Sequence, residues 1–263
     1  MNSPINSPLN TPHEPGSNRP VYHAAASLLS GKYFFLAAAL LAMIFLAPFL
    51  AEHRLLGFRL IDVLNAIILT AAVWVVHRNP VQLTISLILI VPAATLAFFI
   101  HRSEQPWAVV TAHILLILFL SYITLVILGH VLLERHVSAD TLKGAVCVYL
   151  LMAIDTAMVF SLIAYLDPTA FNVSLPHIDD PSQMVFHRPQ FATIVYFSFT
   201  SLSTLGYGDI VPVHPFARSL AALEAIAGQV YLAILVARLV GMHIVSFQLP
   251  TDPTDPTDPT NSS

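Results

Sequence analysis

Thr204-Leu205-Gly206-Tyr207-Gly208-Asp209 stands between a helix-length amphipathic run and a long apolar one, and its reading decides the fold. Successive carbonyls can face one side of a chain only when the backbone alternates between left- and right-handed dihedrals. Gly206 and Gly208, two residues apart, permit that alternation without a Cβ penalty. The expected product is a row of main-chain oxygens, to which the Thr204 hydroxyl adds one more.

The upstream stretch, Gln190 to Ser203, follows Pro189, which suits a first helical turn. At about 1.5 Å per residue this helix is roughly 20 Å long, too short for an apolar core of about 30 Å. Such an element enters a membrane and stops part-way, which is tolerated only where it is buried in protein or lines water. Its carboxyl end carries partial negative charge and favours a cation. A potassium ion that sheds its water needs whole rings of carbonyls, and one chain supplies part of each ring, so a homotetramer on a four-fold axis is expected.

Composition agrees with a membrane setting. Of 263 residues, 56% are hydrophobic and 10% charged, and mean hydropathy is +0.75, values foreign to soluble globular domains. The net charge of -4 argues against nucleic acid as a partner and leaves membrane lipids. The single cysteine, Cys147, excludes an internal disulfide and reads as a small core residue. Residues 1–30 repeat Asn-Ser-Pro and Asn-Thr-Pro, and residues 249–263 repeat Thr-Asp-Pro; both read as disordered tails.

Between the tails, six apolar runs approach or exceed the roughly 20 residues a bilayer requires. They are Lys32 to Leu50, Leu60 to Val76, Val81 to Ile100, Trp107 to Leu133, Lys143 to Leu166 and Ala217 to Phe247. The second carries Asp62 and Asn65 near its start. The fourth contains neither Arg nor Lys, so no conventional voltage sensor is expected.

From about Lys143 to Met242 the chain resembles the pore module of the bacterial ion-channel family, above all its tetrameric prokaryotic potassium channels: outer helix, pore helix, Thr-x-Gly-Tyr-Gly-Asp filter, inner helix. The resemblance implies an all-α integral membrane protein of six transmembrane helices, with a re-entrant pore helix and filter between the fifth and sixth. Residues 31–136 then form a four-helix membrane domain and 137–248 the pore domain. It implies passive, potassium-selective conduction, with K+ coordinated by Thr204, Leu205, Gly206, Tyr207 and Gly208. Asp209 is implied to brace the filter through an aromatic donor on the pore helix, here Tyr196. The family often has Trp at that position, Val where this chain has Leu205 and Thr where it has Ser203; the differences bear on inactivation rather than on ion identity. Because the Tyr-Gly-Asp end faces outward in the family, an even helix count places both termini in the cytoplasm of a multi-pass cell-membrane protein.

Gly228 lies 22 residues after Gly206, the spacing of the family's gating hinge. The alternative is a glycine that lets two membrane helices pack closely. The same spacing turns Gln229, Leu232 and Val236 toward the inner cavity. Asp155, Glu224 and Arg238 fall inside apolar runs, where a lipid-facing charge costs about 2.5 to 3.5 kcal/mol, so they are expected to face protein or water. Arg238 can snorkel to the inner interface. Glu224 can brace the back of the pore helix, and Asp155 has no partner legible in the sequence. For both, a structural hydrogen bond and a gating role stay open.

His177, His187 and His214 are expected on the outer side, where a pH-sensing or metal-binding role stands as the alternative to solvated loop residues, which the lack of any recurring metal-ligand spacing favours. No catalytic residue, bound metal or cofactor is expected beyond K+ as the permeant ion, because no nucleotide loop or hydrolase elbow is present. Three other readings remain: a cation channel passing both Na+ and K+, a secondary transporter, and a non-conducting subunit. Tyr207 speaks against the first, and the lack of a second Gly-broken element speaks against the second.

Overall fold

A run that is apolar all round has no face to turn toward water, and a helix is the one local structure that satisfies its backbone internally. The computed structural model describes residues 31–52, 56–77, 79–100, 105–134, 138–173 and 189–247. Five helices come first: α1 (Phe34–Glu52), α2 (Leu56–Val76), α3 (Pro80–Ile100), α4 (Pro106–Leu133) and α5 (Ala139–Leu166). Strand β1 (Phe171–Val173), helix α6 (Pro189–Leu202), strand β2 (Ile210–Pro212) and helix α7 (Pro215–Phe247) follow. The two tails, together with His177 and His187, lie outside the described residues.

At two helix starts that differ from expectation, a side chain bonds the first turn. α5 begins at Ala139 rather than Lys143, because Ser138 and Thr141 form a capping box in which each side chain bonds the other's amide. α7 begins at Pro215 rather than Ala217, and His214 Nδ1 accepts the Phe216 N–H at 3.2 Å. His214 is therefore engaged at a helix start.

The helical fold is interrupted by one antiparallel pair, which the all-α expectation did not include. Phe171 pairs with Pro212, Asn172 with Val211 and Val173 with Ile210. Three-residue strands are too short to show a two-residue period in sequence. This pair ties the segment after α5 to the segment after the Thr204–Asp209 stretch.

α4, α5 and the Pro215–Gly241 part of α7 are long and apolar enough to cross a membrane. α1, α2 and α3 are helices of 19, 21 and 21 residues, apolar over Phe34–Leu46, Val63–Val76 and Pro80–Leu96.

Two apolar clusters organise the helices. The larger joins Leu36 and Leu40 of α1, Ala72 of α2, Phe119 and Ile123 of α4, and Leu151 of α5, and Tyr231 of α7 reaches into it. The smaller surrounds α6, where Phe160, Phe171 and Phe197 meet edge-to-face with centroids 5.1 to 5.7 Å apart. That geometry suits the ring quadrupoles and fixes α6 against α5 and β1.

Candidate functional site

Positive φ recurs at every second residue of the central motif: Thr204 at 58°, Gly206 at 50° and Gly208 at 80°. The two glycines adopt this region freely. Thr204, the one non-glycine residue with positive φ among the described residues, does so at a cost of about 1–3 kcal/mol that its surroundings must offset. Those surroundings are the carboxyl end of α6. Thr204 N donates to Ser201 O at 2.9 Å, and Leu205 N and Gly206 N both donate to Thr200 O, at 2.8 and 3.1 Å. Three consecutive amides thus satisfy carbonyls that a helix end leaves unpaired, and the chain leaves α6 by a fixed path.

The motif is open on its other side. A methyl group at Gly206 or Gly208 meets nothing within 4 Å, and Leu205 and Tyr207 are 55% and 67% exposed in the single chain.

Its far end is anchored by Tyr196 and Asp209. Tyr196 Oη donates to Asp209 Oδ2 at 2.8 Å, while Asp209 Oδ1 accepts the Ile210 N–H at 3.0 Å. The rings of Tyr196 and Tyr207 lie parallel, 6° apart in plane with centroids separated by 6.4 Å.

Gly228 lies directly beneath the end of α6. A Cβ there stands 2.3 Å from Leu202 O, a main-chain atom with little freedom to retreat. The contact is the one the close-packing alternative requires, and α7 continues as helix through it. Gln229 Nε2 donates to Thr204 Oγ1 at 3.3 Å, so the structure brings this residue to the base of the motif. Leu232 and Val236 do not touch the motif; they follow Gly228 by one and two turns and stay exposed in the single chain.

Residues 148–243 match the family model described as ion channel. No curated protein and no solved structure matches the chain. The matched residues take in most of α5, all of α6, the Thr204–Asp209 motif and most of α7, which is the whole of the site. Three helices are long and apolar enough to cross a membrane, and the region from 148 to 243 is similar to an ion-channel domain, which supports a membrane protein.

Sequence reasoning missed several supporting residues. Ser198, fully buried, lies 2.6 Å from Ala153 O and 2.5 Å from Glu224 Oε1. Tyr231 Oη donates to Ala145 O at 2.7 Å, and its ring stacks on Tyr149. Asp155, without a legible partner in sequence, accepts from Ser121 Oγ at 2.6 Å and so joins α4 to α5. Arg238 donates to Glu134 O at the end of α4. A hydroxyl inside an apolar run was the available signal for Ser198 and Ser121, but their partners lie 26 and 34 residues away. Among the described residues no group of three or more His, Cys, Asp or Glu is gathered that could hold a metal ion.

Proposed function

We propose that the chain is a potassium-selective channel that conducts K+ passively down its gradient, with four copies contributing one Thr204–Gly208 segment each to a central filter. The observation that carries this reading is the alternation of handedness at Thr204, Gly206 and Gly208, the backbone condition for stacking carbonyl rings around a dehydrated cation. The match of residues 148–243 to an ion-channel model supports it. So does the surface of α7, where Leu223, Ile226, Val230 and Ile234 are each at least half exposed. Neighbouring copies and lipid are the partners that cover such a face in a membrane.

In this reading α1 to α5 and α7 are six membrane spans, and α6 is the re-entrant pore helix. Both termini are cytoplasmic in the cell membrane. Thr204, Leu205, Gly206, Tyr207 and Gly208 coordinate K+, Tyr196 and Asp209 support the filter, Gln229, Leu232 and Val236 line the inner cavity, and Gly228 serves as hinge. The helix dipole of α6 ends at Thr200 to Leu202, next to the start of the filter, and lowers the cost of a cation there.

The test is potassium against sodium flux into liposomes holding the purified protein, with Gly206→Asp as control. Barium-sensitive potassium flux that disappears in the variant is the expected result. Equal sodium flux, or none of either ion under an imposed gradient, overturns selective conduction.

A further inference from the structure

Ser198 stands between two oxygens on two other helices. Ala153 O of α5 is 2.6 Å from its Oγ, and Glu224 Oε1 of α7 is 2.5 Å from it. Ser198 is 0% and Glu224 4% exposed, so no bulk water reaches either group in place of these contacts.

The hydrogens can be counted. Both distances lie at the short end of the O–H···O range, and each needs a hydrogen of its own, because one hydrogen shared between two acceptors bends and weakens both bonds. A serine hydroxyl brings one hydrogen and a main-chain carbonyl brings none. The second must sit on Glu224. Thr156, which also faces this carboxyl, lies 2.9 Å from Met152 O and does not supply the hydrogen between Ser198 and Glu224.

The other carboxyl oxygen agrees. Glu224 Oε2 is buried without a hydrogen-bond partner, and among the described residues no ion pair reaches Glu224. An ionised carboxylate in an apolar interior requires compensation at both oxygens, whereas the carbonyl oxygen of a neutral acid tolerates being left alone far better.

We propose that Glu224 holds a proton and acts as a neutral strut: Glu224 Oε1–H donates to Ser198 Oγ, and Ser198 Oγ–H donates to Ala153 O. The chain of two bonds fastens α6 to α5 and α7 at one level. One turn further along both helices, Gly228 meets Leu202 O, and Thr200 O between these levels receives two filter amides. Glu224 is therefore a positioning residue for the filter, acting through Ser198. Its effect on conduction rests on the channel reading above, while its proton does not.

The experiment is infrared difference spectroscopy of the full chain in lipid vesicles, wild type against Glu224→Gln, alongside potassium flux. The expected result is loss of a carboxylic-acid carbonyl band in the variant; loss of a carboxylate band instead overturns the proposal. In Ser198→Ala the acid band is expected to shift, having lost its hydrogen-bond partner, and an unmoved band overturns the strut. Glu224→Gln replaces the acid O–H by an amide N–H and is expected to keep potassium flux, whereas Glu224→Ala loses it; equal impairment of the two also overturns the strut. Absence of flux in the wild type, with the acid band present, removes the channel reading and leaves the protonated Glu224.

Discussion

Tyr196 and Asp209, thirteen positions apart, are joined by a 2.8 Å hydrogen bond that ties the far end of the Thr204–Asp209 motif to the middle of α6. The near end is tied to the same helix by amides on Ser201 O and Thr200 O. The motif is held at both ends by one helix, so the span between, whose carbonyls are proposed to meet the ion, cannot slide relative to it.

In the proposed channel, removing that tie is expected to show in how long conduction persists. Tyr196→Phe deletes the donor and keeps the ring stack on Tyr207. A hydrogen bond at this exposed position is worth about 1 kcal/mol, so potassium flux is expected to decay about fivefold faster after its onset. Tyr196→Trp, which restores a donor, should bring the decay back toward wild type. Decay rates equal in wild type and Tyr196→Phe would sink the bracing role.

Gly228→Ala drives a methyl group into Leu202 O, whereas Gly129→Ala on α4 meets nothing within 4 Å. Overpacking against a main-chain atom costs about 1–3 kcal/mol, while removing a helical glycine from an open position gains up to about 1 kcal/mol. Thermal unfolding in detergent is expected to fall for Gly228→Ala and to hold or rise for Gly129→Ala. If Gly228→Ala keeps full stability and alters gating alone, the hinge role takes precedence over packing.

Gln229→Leu removes the amide that reaches Thr204 Oγ1 at 3.3 Å. Thr204 Oγ1 is also 2.6 Å from Ser203 O, so Gln229 helps decide which way the hydroxyl points. Losing a bond of about 1 kcal/mol is expected to change barium affinity from the inner side by about fivefold. Titration of barium block in vesicles checks this, and an unchanged affinity would show that the hydroxyl is oriented without Gln229.

Ser121→Ala leaves the half-buried Asp155 without its hydrogen-bond donor. Stranding a buried polar group costs about 1–3 kcal/mol. The variant is expected to unfold at lower temperature, and Ser121→Ala combined with Asp155→Leu should recover much of the loss. Additive losses in the pair would mean that the two side chains do not interact.

How much was legible is clearest at particular positions. The core of every helix was readable, because long apolar runs leave one local solution, while the bounds shift by a few residues, in two cases with a side chain bonding the first turn, at Ser138 and His214. The motif's alternating backbone at Gly206 and Gly208 was also legible, because a glycine at every second position is a local demand, and so was the pairing of Tyr196 with Asp209. Left-handed Thr204 was not, because nothing in its type asks for positive φ; it is held there by amides bonding back to Ser201 and Thr200.

The sequence by itself determined that this is a chain of apolar helices with one short re-entrant-length helix leading into a glycine-alternating motif, since helix period, run length and Gly spacing are properties of neighbours along the chain. Only the tertiary structure decided which residues of separate helices meet. Ser198 with Ala153 and Glu224, Ser121 with Asp155, and Gly228 with Leu202 are pairings between separate helices. Their partners are set by the rotation and depth at which each helix packs, and a shift of one residue turns a side chain by about 100° away from its partner.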